Sequence, residues 1–173
     1  MSTVQVNYPA GTATITIAPQ NVNSSSTFVA GVESDSISDV SNLDLDWLIS
    51  GTWTSGTTPT ANTQVQIWVV PCQTDDLSST VTWPDVFDGT ASAETVTSAG
   101  ILQGCARLGA VLNVDSNTSN RLYTCAFFSV AALFGGQLPT RIVLFITHNT
   151  GVNSNSTSGN HQWQYQRVRA TVA

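Results

Sequence analysis

The sequence predicts an all-β fold: an antiparallel β-sandwich or jelly roll of about eight strands with at most one short helix. Three observations predict it. Leu43–Val70 holds two alternating runs joined by a polar Gly/Thr/Pro loop, with Leu43, Leu45, Trp47 and Ile49 on one face of the first and Asp44, Asp46 and Ser50 on the other. Thr12–Ala18 alternates as cleanly, Ala13, Ile15 and Ile17 against Thr12, Thr14 and Thr16. Side chains of a strand point to opposite faces in turn, so such runs describe sheets with one dry and one wet face. Third, the connections are rich in Gly, Thr, Asn and Ser, as turns between strands require.

Taken in order, Val4–Tyr8 is a short alternating run stopped by Pro9–Gly11. After the Thr12–Ala18 strand, Pro19–Thr27 reads as a loop, Phe28–Val32 as a short strand, and Glu33–Asn42 as an acidic, Ser-rich loop. In the second run of the Leu43–Val70 pair, Val65, Ile67 and Val69 oppose Gln64 and Gln66. Residues Pro71–Gly100 show little periodicity, and their Trp83 and Phe87 indicate a packed excursion. A loop of such length inside a compact domain is functional or interface-forming. Ile101–Val114 reads as a strand broken near Gly104 or Gly109, and Asp115–Asn120 as a turn. Arg121–Val130 is a strand, Ser129–Phe134 one helical turn closed by Gly135–Gly136. Thr140–His148 is almost continuously apolar, the mark of a central strand covered on both faces. Asn149–Asn160 is a solvent loop, and the closing HQWQYQRVRATV alternates, with a bulge near Gln166 allowing both faces to be used.

The chain of 173 residues is long enough for one sizeable core. The organisation expected is one single domain, with an N-terminal arm or edge hairpin at 1–40 and a sandwich (jelly roll) at 41–173. Charged residues make up 9%, against roughly 25% in ordinary soluble proteins. Lysine is absent; the five basic residues are Arg107, Arg121, Arg141, Arg167 and Arg169. Five Trp, six Phe and three Tyr argue against disorder. A net charge of −6 without a basic stripe argues against nucleic acid and anionic membranes as partners. The N-terminus lacks the basic and apolar regions of a signal peptide, and no apolar run reaches the ~18 residues of a span. Synthesis in a cytoplasm is the expectation.

Chemistry-bearing residues are sparse. Cys72, Cys105 and Cys125 are odd in number and widely spaced, which reads as buried free thiols. Asp75, Asp76, Asp85 and Asp88 share the long excursion, but their spacing fits no calcium-loop signature, and solvated turn residues are the simpler reading. His148 and His161 flank the Asn149–Asn160 loop and could meet across it; zinc would need a third ligand, so a structural role at strand ends is favoured. Glu33 and Glu94 do not select themselves as a glycosidase pair. No G-x-S-x-G elbow or phosphate-binding glycine loop is present. The expectation is a non-enzymatic protein without cofactor or metal.

Surfaces are then the functional candidates: Trp68, Trp163, Tyr165, Val4, Val6, Tyr8, Trp83 and Phe87 as interface residues, with Trp53 a further aromatic in the first strand of the Leu43–Val70 pair. Trp68 and Trp163 on an outer sheet face would form an interface or a sugar platform. The latter reading makes the protein a carbohydrate-binding module, with a host glycan as partner.

The segments DWLISGTWTSGTTPTANTQVQIWVV, TVTWPDVFDGTASAETVTSAG, SVAALFGGQLPTRIVLFITHNTG and NHQWQYQRVRATVA resemble a family of small structural proteins of tailed-bacteriophage virions, from about Leu43 to the C-terminus. The resemblance implies a jelly-roll fold, location in the virion, and the role of a capsid decoration (cement) protein that binds itself and the major capsid protein. A tail or head–tail connector position stays open. It supplies no catalytic residues. Low charge suits such a role because burying unpaired charge is costly, and strand edges without lysine invite pairing with another chain.

Overall fold

The computed structural model describes residues 3–39, 44–75 and 80–172. In chain order the strands are β1 (Val4–Asn7), β2 (Ala13–Thr14), β3 (Ala30–Glu33), β4 (Ile37–Ser38), β5 (Asp44–Thr54), β6 (Thr63–Pro71), β7 (Thr74–Asp75), β8 (Val81–Thr82), β9 (Ala93–Thr95), β10 (Arg107–Val114), β11 (Leu122–Ser129), β12 (Arg141–His148) and β13 (Trp163–Val172). Helix α1 (Ala99–Cys105) precedes β10, and α2 (Val130–Leu133) follows β11. The first sheet has the order β1–β13–β5–β11, with β2 also on β13; the second runs β10–β6–β12–β3–β9, with β4 also on β12; β7 and β8 form a separate ribbon. Every strand pairing is antiparallel. The architecture is the expected all-β sandwich.

The core lies between the sheets. Trp47, Ile49, Trp53, Trp163 and Tyr165 from the first sheet meet Val65, Ile67, Val69, Ile142, Leu144 and Ile146 from the second. Gly51 makes one contact possible: a Cβ there would sit 2.5 Å from the Trp163 ring. Truncating a buried Trp costs about 3–5 kcal/mol, so these rings dominate the core.

The second sheet is covered on its other face as well. Trp68 and Val70 of β6, with Val143 and Phe145 of β12, pack against Phe87, Val96, Leu102 and Ala106 from the excursion after β6. Thus β6 and β12 are buried on both faces, and the continuous apolar reading of 140–148 has its physical cause. The excursion also contains α1, which the sequence reading missed. Ser98 caps it by accepting the Ile101 N–H at 3.2 Å, but two glycines in seven residues hide the helix from propensity. The strand expected over Ile101–Val114 therefore starts at Arg107, and its irregularity falls between Leu108 and Ala110, at Gly109. Helix α2 forms where expected, and the Gly136 N–H donates to the Ala131 carbonyl at 2.8 Å, with Gly135 at φ 71°.

Other expectations need correction. Residues 1–40 do not form one arm: Ile15, Val32 and Ile37 are core residues, and β3 and β4 belong to the second sheet. Residues 13–17 do alternate as read, but the segment crosses between sheets, β2 pairing β13 while Ile17 bridges Ser34, so the strand is brief. Within β5, Leu45 is 46% exposed and Asp44 is buried, the reverse of the expected faces. The reason is a bulge: Val168 pairs Asp46 and Arg169 pairs Asp44, leaving Leu45 without an opposite number and flipping the alternation. The bulge foreseen near Gln166 lies instead in the facing strand. Leu43 lies outside the described residues.

Candidate interaction surface

The eight interface candidates separate by burial. Trp163 at 1%, Phe87 at 5%, Trp68 at 8% and Tyr165 at 9% exposure are interior residues of this chain. Neither Trp68 nor Trp163 is a surface platform: the excursion covers Trp68, and Trp163 points into the core. Trp53 is wholly buried too. Trp83 is half-buried beside the second cluster. Val4, Val6 and Tyr8 are exposed at 69%, 61% and 60%.

These last three define one end of the first sheet. Strand β1 pairs β13 from Val4↔Val172 to Asn7↔Arg169, and all four of its residues are exposed. It carries no charge and stands at the end of the sheet order, so its outer backbone row has no strand partner among the described residues. Proteins usually blunt such an edge with lysine, proline or a cover.

The anchor for this edge is Asp44. Its Oδ2 accepts the Trp47 Nε1–H at 2.7 Å and Arg167 Nη1–H; its Oδ1 accepts Arg169 Nε–H at 2.7 Å. Burial pushes the carboxyl up, but the Trp47 indole and the two guanidiniums more than offset this and hold it below the usual carboxylate range. Because Arg169 also pairs Asn7, the node ties β5, β13 and β1 at one point. Asp46 serves differently: it accepts the Ala131 N–H at 2.8 Å and the Ser129 hydroxyl at 2.6 Å, bracing the start of α2.

Other titratable groups hold loops. Burial lowers His148 to about 4; its Nε2–H donates to the Val22 carbonyl at 3.0 Å. His161 is lowered by burial too, and its Nε2–H donates to the Asn155 carbonyl at 2.9 Å. Both rings pack on Trp53, centroids 5.2 and 6.2 Å away, so the two histidines lie against the same indole. Glu33, assigned to a loop by the sequence reading, is buried completely under the excursion. It accepts the Gly89 N–H at 2.7 Å, and burial raises it to about 7.

Asp85 accepts the Thr97 N–H and hydroxyl at 2.8 and 2.7 Å, and Asp88 accepts the Thr90 N–H at 2.8 Å, both as turn braces. Asp76 lies outside the described residues, as does the Asp75 side chain. Among the described residues no three His, Cys, Asp or Glu gather as metal ligands. Cys72, Cys105 and Cys125 are free thiols; Cys125 is buried, the other two half-buried. No described helix is long and apolar enough to cross a membrane.

The outer face of the first sheet bears a groove of about 800 Å³, running between residues 14–17 and 124–127 over residues 50–52 of β5 and residues 161–164 at the entry to β13. The sequence reading did not find it, because its walls, polar residues interleaved with Ile15, Ile17, Ala126 and Phe127, come from strands distant in sequence.

No protein-family model, curated protein or solved structure matches the chain.

Proposed function

We propose that the protein is a non-enzymatic structural subunit of a tailed-phage virion, a capsid decoration (cement) protein that binds itself and the major capsid protein. The observation that carries the assembly role is β1, an uncharged, fully exposed strand at an open sheet edge. Such an edge offers backbone hydrogen bonds to another chain, and Val4, Val6 and Tyr8 add apolar area. The low charge of the chain reduces the desolvation cost of packing copies together. The place in the virion rests on the resemblance of the segments from Leu43 onward. Closed rotational symmetry is the default for such homo-oligomers.

Quantitative mass spectrometry of purified phage particles tests the reading. Many copies per particle are expected. Absence from particles made by cells that express the chain overturns it.

A further inference from the structure

The groove on the first sheet has a chemical character of its own. Gln164 of β13 stands between Thr14 of β2 and Ser50 of β5 in register. Beyond Ser50 the row reaches β11, where Cys125 pairs Gly51 and Phe128 pairs Ile49. Two residues, Ala126 and Phe127, therefore oppose the single Ser50. This bulge turns Phe127, which unbroken alternation from the buried Cys125 would send inward, to the outside, where it is 57% exposed. The row Thr14–Gln164–Ser50–Phe127 crosses four strands, about 14 Å at ordinary strand spacing.

A second row runs parallel. Thr52 pairs Thr124, and the Gln162 N–H donates to the Thr52 hydroxyl at 3.1 Å. The groove thus sets hydroxyls and amides in two lines among apolar neighbours such as Ile17 and Ala126, with the Phe127 ring at the rim. None of its lining residues is Asp, Glu, Arg or Lys, and burial keeps its His161 below the ordinary imidazole range.

This chemistry selects a class of ligand. A charged ligand would find no counter-charge there, and an anionic one would also meet a protein of net charge −6. A bare peptide strand laid across the sheet face would leave its backbone groups to compete for side chains alone. A sugar chain carries hydroxyls around its rim and a C–H face that stacks on an aromatic ring, matching both rows and Phe127. The volume lies within the range of ligand sites, roughly 300–1,000 Å³. We infer that the groove binds a neutral oligosaccharide, with Phe127 as the stacking residue and Gln164, Thr52 and Thr124 as hydrogen-bonding partners; Ser50, 8% exposed, holds Gln164 in place by accepting its Nε2–H at 3.4 Å. The platform residues expected from sequence are replaced by a ring that a bulge exposes.

The test uses the full chain on immobilised neutral oligosaccharides (glucans, galactans and N-acetylhexosamine oligomers) beside sialylated and sulfated ones, followed by calorimetric titration of the strongest neutral binder. Binding to a neutral chain is expected, weakened about tenfold by Phe127→Ala and abolished by Thr124→Arg, which fills the groove. Melting curves of both variants report folding. Binding to no neutral chain overturns the inference, as does undiminished binding by both folded variants. A change of oligomeric state in Phe127→Ala with no sugar bound also overturns it and makes the groove a contact between copies. Particle composition is measured separately, so failure here leaves the virion reading standing, and the reverse.

Discussion

The Glu33 carboxylate accepts the Gly89 backbone N–H at 2.7 Å from a position with no exposed surface. Gly89 adopts φ 85°, and a Cβ there would lie 3.0 Å from the Trp83 ring. One buried acid thus fixes the turn that lays the excursion on the second sheet. Burial raises Glu33 from 4.5 to about 7. A carboxyl raised in the folded state favours folding most below its unfolded value, and stability falls as pH rises from 4.5 through 7. Glu33→Gln keeps an acceptor for Gly89 without the charge. Relative to the wild type, this variant is expected to gain ~3 kcal/mol between pH 4.5 and 8, read from paired urea melts across that range.

His148 carries the opposite slope. Its folded value of about 4 lies under the ordinary 6.5 because of burial. The unfolded chain takes up the proton first, so the stability due to neutral His148 is complete above pH 6.5 and is lost as pH falls toward 4. Nitrogen-15 NMR should show a neutral ring with the proton on Nε2 at pH 6. Protonation at that pH would contradict the packing against Trp53.

Asp44→Ala leaves the Trp47 indole N–H buried without its acceptor and two partly exposed arginines without their shared anion. The expected loss is about 2–4 kcal/mol, toward the lower end because both guanidiniums reach water. Asp44→Asn should lose less, and a double-mutant cycle with Trp47→Phe should show coupling. Additive losses would mean that the node is not a unit.

Val4→Lys with Val6→Lys places two charges on the exposed edge without touching the core. Folding stability should change by less than ~0.5 kcal/mol, while light scattering is expected to give an oligomer for the wild-type chain and a smaller species for the double variant. An unaltered oligomer in the double variant would remove β1 from the assembly surface.

Much of the fold was legible because one-faced strands write their periodicity into the chain. Ala13, Ile15 and Ile17 face inward as read, and Arg141–His148 is the doubly covered strand its composition announced. The closing glycines of α2 were equally plain. The site was less so. Trp68 and Trp163 both sit in alternating strands, and nothing local distinguishes a face covered by another part of the same chain from one left open. The excursion decides this for Trp68 and the opposite sheet for Trp163. Leu45 and Phe127 were misplaced or overlooked because a bulge inserts one residue and reverses every side chain beyond it.

Taken by itself, the sequence determined that strands would form, where turns would separate them, and that few charges would line the surface. These follow from local stereochemistry and composition, which each short segment carries within itself. Which sheet each strand joined, which tryptophans were covered, that Glu33 would be buried, and that two bulges would exchange inside for outside were decided by the tertiary structure. Those outcomes depend on contacts and register between segments far apart in the chain, and register is a property of the pair.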